Sequence, residues 1–162
     1  MHTDSGQDYH QINKRAGFSL IELMVVVVII AIAAGIAIPN MSGWFGKKNL
    51  DSISLQMFSD FQRARSEAIT RGRTVTIQIH TGNGSWYEVH DSTNSQIVPQ
   101  TTMPNNIKIA DTTFATVDTS GINSRGFATK SGSVTIHSAS APSANSDRTI
   151  TLSLGGVVSI TP

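Results

Sequence analysis

Lys14-Arg15-Ala16-Gly17-Phe18-Ser19-Leu20-Ile21-Glu22-Leu23-Met24 opens a stretch that stays apolar as far as Ile38, apart from Ser19 and Glu22. At a rise of about 1.5 Å per residue, a helix over 18–38 is roughly 30 Å long, the thickness of a bilayer's hydrocarbon core. A helix in a soluble core rarely lacks a polar face for that distance. The run therefore reads as a membrane-spanning helix, placed at residues 18–39. A secretory signal peptide would have a shorter apolar region followed by small residues at a cleavage site. Here Ile38-Pro39-Asn40-Met41 follows and a helical pattern resumes, so the segment reads as retained.

Glu22 is out of keeping with that run. A carboxylate near the start of a membrane helix is costly unless it is paired or lies at the interface. Two readings stand side by side: a headgroup-level Glu favoured by the helix N-terminus, or an acid that finds a cation when chains assemble. Gly35 and Pro39 also admit two readings, since glycine weakens a helix and proline removes a backbone donor. They mark the end of the span, or they form a compliant joint.

Beyond the run the helical period returns over 40–72. Leu50, Ile53, Met57, Phe61, Ala64 and Ala68 recur three or four apart and share one face. Asp51, Asp60, Arg63 and Glu67 fall largely elsewhere, as a solvated face requires. Gly72 supplies a C-cap, with Arg71 placed to meet the helix dipole.

Residues 73–162 change character. Thr74-Val75-Thr76-Ile77-Gln78-Ile79-His80 alternates as a half-buried strand. Gly82-Asn83-Gly84 carries positive-φ turn chemistry, and 86–90 completes a hairpin. Further strands are expected at 107–110, 133–137, 149–154 and 157–160, with Gly155-Gly156 as a tight turn between the last two. Residues 138–147 read as a polar, mobile loop. The expectation is an α+β molecule: one long helix on a small, mainly antiparallel sheet.

Composition narrows the function. The 162 residues carry a net charge of +1 and no cysteine. No global field draws the chain to nucleic acid, and disulfides, thiol nucleophiles and thiolate metal sites are excluded. His80, His90 and His137 fall at expected strand ends, far apart in sequence, where surface histidines are commoner than metal ligands. Asp91, Asp111 and Asp118 match no compact calcium loop. Neither a nucleophile elbow nor a phosphate-binding loop is present. No enzyme, metal or cofactor is expected, and any motor for assembly is another protein.

Residues 14–23 resemble the processing site of type IV prepilins and type II secretion pseudopilins: basic residues, glycine, aromatic, carboxylate and apolar run in register. The resemblance implies that 1–17 is a leader, that a prepilin peptidase cuts between Gly17 and Phe18, and that Phe18 is then N-methylated. It makes Glu22 the fifth mature residue, paired with the N-terminal amine of a neighbouring subunit. Residues 62–72, followed by Val75-Thr76-Ile77, resemble the GspH/FimT group of minor pseudopilins and minor pilins. This implies a pilin-like fold and a subunit at or near the tip of an inner-membrane-anchored filament, with its C-terminal domain periplasmic. Implied partners are other pilins or pseudopilins, the peptidase, an inner-membrane assembly platform and the lipid bilayer. Some FimT-like members are proposed to bind DNA through a basic motif near the C-terminal hairpin. Here that hairpin, Leu154-Gly155-Gly156-Val157-Val158, carries no arginine. Arg71 and Arg73 are the candidates for a DNA contact in this alternative.

Overall fold

The computed structural model describes residues 17–114 and 119–162, without the side chains of 37–40. The chain divides into two compact units, Met1–Ile38 and Pro39–Pro162. One helix, α1 (Leu20–Arg71), contributes to both.

In the first unit every described side chain from 17 to 36 is exposed. Six consecutive β-branched residues, Val25 to Ile30, lie in this helix, although such residues lose rotamer freedom against the preceding turn. An apolar solvent reverses that preference, because a helix satisfies its backbone groups internally and a lone strand does not. Divided at 37–40, α1 gives the pieces Leu20–Ile36 and Met41–Arg71. Neither alone is long and apolar enough to cross a membrane; as a pair they meet the length and composition required.

In the second unit α1 packs on two sheets rather than the one expected. Strands β1 (Val75–His80), β2 (Trp86–Asp91), β3 (Gln96–Thr102) and β5 (Thr119–Ile122) form the first, in the order β3-β2-β1-β5. Strands β4 (Ile107–Thr112), β6 (Gly132–Ser138), β7 (Asp147–Leu152) and β8 (Val158–Thr161) form the second, in the order β4-β6-β7-β8. All pairings are antiparallel. The helix face anticipated from its period is the buried one: Leu50, Met57, Phe61, Ala64 and Ala68 are fully buried, and Ile53 packs at the margin. Ser54 is buried on the same face and donates its hydroxyl to the Leu50 carbonyl at 2.7 Å, which satisfies it locally. Against this face stand Val75, Ile77, Tyr87 and Val89 from the first sheet and Ile109, Val134, Ile136, Ile150 and Leu152 from the second.

The end of α1 matches its sequence signal. Gly72 takes φ +63°, its amide donates to the Ile69 carbonyl, and the Arg73 amide donates to the Ala68 carbonyl, both at 3.2 Å. These two bonds are the Schellman pattern. The loop 139–146 is docked, not free. The Ala139 amide donates to the Asn106 carbonyl at 2.9 Å, and a short 3-10 turn, Ser143–Asn145, follows. A Cβ added at Gly46 would collide with the Ser140 carbonyl, so only glycine lets helix and loop backbones approach this closely.

Phe61→Ala is expected to lose about 3–5 kcal/mol of stability. Leu55→Ala, whose side chain is 58% exposed, should stay within about 0.5 kcal/mol. Denaturant unfolding of the full chain in detergent, followed by tryptophan emission, checks both.

Candidate functional site

The expected processing site begins at the edge of the described residues: Gly17 and Phe18 are described, and Lys14 to Ala16 are not. The Leu23 amide donates to the Ser19 carbonyl at 3.2 Å, which places the first helical hydrogen bond directly after the expected cut. Glu22 therefore stands in the first turn, where unsatisfied backbone N–H groups favour an anion. Phe18, Glu22, Leu23, Val26 and Val27 line a shallow apolar groove of about 300 Å³. Glu22, Leu23, Val26 and Val27, three or four apart, share one stripe of α1, with Phe18 just ahead of it. The carboxylate thus interrupts a stripe that is otherwise apolar. Among the described residues no cation lies within ion-pair distance of it. A second apolar surface laid along this stripe would strip water from Glu22, and only a positive partner would then offset the cost.

Gly35 lies within α1 with open space around it, and the backbone at Pro39 is also helical. Arg71 and Arg73 sit where α1 meets the first sheet. Arg71 donates to Glu67 at 2.7 Å and to Asp91 at 3.2 Å, and Arg73 approaches Asp91 at 4.0 Å. These two guanidinium groups are turned to carboxylates of their own chain.

Asp91, weighed in the sequence only as a calcium ligand, is the member of this cluster whose structural role the sequence reading missed. Nearly fully buried at the end of β2, it accepts from the Thr93 amide (2.9 Å), the Thr93 hydroxyl (2.6 Å) and the Ser95 amide (3.0 Å). This shapes the β2–β3 turn, in which Asn94 adopts φ +62°. The Thr93 hydroxyl, the two turn amides and Arg71 hold its carboxyl far below the usual carboxylate range. The pattern Asp91-x-Thr93-x-Ser95 is an Asx-turn signal that could have found it. Two acids assigned to a solvated helix face are also tied inward. Asp51 pairs with Arg148 of β7 at 2.8 Å, and Asp60 accepts the Tyr87 hydroxyl at 2.5 Å. Burial, then Asp60, pushes the Tyr87 phenol well above its ordinary value.

The three described histidines do not share a place. His80 stacks on Trp86 with ring centroids 5.6 Å apart, His90 faces Thr76 across the first sheet, and His137 is bonded to Asp147 at 2.7 Å on the second. Asp118 lies outside the described residues.

A family model described as type II transport protein GspH matches residues 55–156, from the middle of α1 to the β7–β8 turn. The chain belongs to the GspH family. A model of the prokaryotic N-terminal methylation motif matches residues 12–38. Two crystal forms of the type IV minor pilin FimU of Pseudomonas aeruginosa share the fold of this GspH-family chain, with TM-scores of 0.54 and 0.52. They are 17% and 18% identical to it, covering 71% and 70% of this chain and 90% and 93% of theirs. The minor pseudopilin EpsH from the Type 2 Secretion System of Vibrio cholerae gives 0.58 at 11% identity, over 70% of this chain and 96% of that one. At such identities it is the fold that is shared. No curated protein matches the sequence. The GspH-family chain is a minor pseudopilin- or minor pilin-type subunit, with a pilin-like fold and a methylation-type N-terminus.

The Asp91 cluster makes a pH prediction. A carboxyl whose folded pKa is depressed contributes its stability above the ordinary carboxylate value of about 4, and loses it as pH falls toward the folded value. Asp91→Asn should melt at a lower temperature than the parent at neutral pH. The gap should narrow as pH is lowered through about 4 and below. Melting curves of both proteins across that range are the check.

Proposed function

We propose that this chain is a structural, non-enzymatic subunit of a filament assembled at the bacterial inner membrane, of the secretion-pseudopilus and type IV pilus kind. In this reading a prepilin peptidase removes residues 1–17 and methylates Phe18. Residues 18–39 hold the subunit in the bilayer as a single pass, with the β-rich domain in the periplasm. An assembly platform then draws the helix out of the lipid and into the filament, at or near its tip. Gly35 and Pro39 supply the compliance that this transfer needs.

The observation that carries the reading is the setting of Glu22, a lone carboxylate in an apolar helix stripe directly after a methylation-type N-terminus. Apolar stripes attract one another without regard to register, because hydrophobic contact is non-directional. One acid per stripe, matched to one amine on the neighbour, removes that freedom: any other register buries an unpaired charge. Such a pair specifies alignment more than it adds net stability. Its partner here is the N-terminal amine of an adjacent pilin, the counterpart of the Phe18 amine.

Glu22→Ala should leave the β-rich domain folded and the chain membrane-bound, while its recovery in sheared filaments falls at least about tenfold, the effect of some 1.4 kcal/mol. Immunoblotting of filament and membrane fractions measures this, and recovery equal to the parent would exclude the role assigned to Glu22.

A further inference from the structure

Between Glu22 and Asp51 the sequence contains no acidic residue, and its first charges after the apolar run are Lys47 and Lys48. Just ahead of them the second unit displays Met41, Trp44 and Phe45, which are 47%, 55% and 50% exposed. Trp44 and Phe45 meet edge to face with centroids 5.1 Å apart, and the Lys48 ammonium lies 5.8 Å from the centre of the Trp44 ring. The other side of this helical stretch is occupied. A Cβ added at Gly43 would come into contact with the Pro142 ring, Gly46 lies against the backbone of Ser140, and the Ser138 hydroxyl donates to the Gly46 carbonyl at 3.4 Å. The loop 139–146 thus fixes the aromatic pair relative to the β-rich domain, so whatever grips the pair also orients the domain.

We propose that Met41, Trp44, Phe45, Lys47 and Lys48 form a collar that seats the base of the globular domain in the headgroup layer of an anionic bilayer. Three features select lipid as the occupant. Trp44 follows Ile38 by six residues, so the chain itself keeps the indole within about 20 Å of the end of the apolar run, whatever the path between them. The headgroup layer borders the hydrocarbon core that such a run would occupy. The chemistry is that of an interface: amphipathic Trp with Lys, the residues that flank membrane spans. The charge of Lys47 and Lys48 is positive and complements acidic headgroups. In this role the collar holds the domain against the membrane and is released when the subunit enters a filament.

The inference rests on residues 18–38 spanning the membrane, and the test separates the two claims. Full-length Trp86→Phe chain, whose remaining tryptophan is Trp44, is placed in vesicles of phosphatidylglycerol and phosphatidylethanolamine. The lipids carry bromine either near the headgroup or near the acyl terminus. A companion chain with Val26→Trp, Trp44→Phe and Trp86→Phe reports on the span, and circular dichroism confirms that both chains are folded. The collar predicts that Trp44 loses more emission to shallow bromine than to deep bromine, and that Lys47→Gln/Lys48→Gln weakens this loss. The span predicts the opposite depth order for Val26→Trp. Quenching of Val26→Trp without quenching of Trp44 overturns the collar and leaves the span standing. If Trp44 instead becomes shielded only in assembled filaments, its face belongs to a neighbouring subunit and the lipid assignment is wrong. Absence of quenching at both positions overturns both.

Discussion

A helix is the element that satisfies its backbone donors and acceptors within one continuous segment, and so it keeps its form when its surroundings change from lipid to protein to water. Every other element here takes its place from α1. Its first part is apolar all round except at Glu22 and exposed along its length, a surface suited to bilayer or to neighbouring helices. Its second part narrows to a single buried stripe from Leu50 to Ala68, the spine on which both sheets close. The transition occupies residues 37–48, where proline, glycines, aromatics and lysines replace the uniform apolar run.

The second unit has no cysteine and holds its sheets to the helix by packing and a few charged or polar ties. Asp51–Arg148 joins α1 to the second sheet, Asp60–Tyr87 joins it to the first, and Arg71–Asp91 fastens the helix end to the β2–β3 turn. Each tie is partly or nearly fully buried, a setting in which removing one partner costs more than the intact pair contributes. They set the angle and register of sheets on helix, while Phe61, Met57 and their neighbours supply most of the apolar burial.

The elements most legible in the sequence were those with strong local chemistry. The period of α1, the Gly72 cap and the hairpin at Gly82 and Gly84 with positive φ all stand where residue patterns placed them. Strand β3 was not legible, because Pro99 argues against a strand; it is tolerated here because β3 is an edge. Strand β5 has four residues, one of them Gly121, and too little alternation to be seen. The division into two sheets depends on which strands pair across long sequence separations, information that no local pattern carries. Much the same holds for the site. The motif around Gly17 and Glu22 is local and readable, whereas the burial of Asp91 and the free aromatic face at Trp44 and Phe45 depend on what the fold covers.

In the proposed assembly Glu22 meets the N-terminal amine of an adjacent subunit once lipid has been exchanged for protein around α1. The most direct measurement places a photoreactive side chain at position 22, irradiates assembled filaments and identifies the adduct by mass spectrometry. The expected adduct is a crosslink to the first residue of a neighbouring pilin. A crosslink confined to residues far from any N-terminus would contradict it.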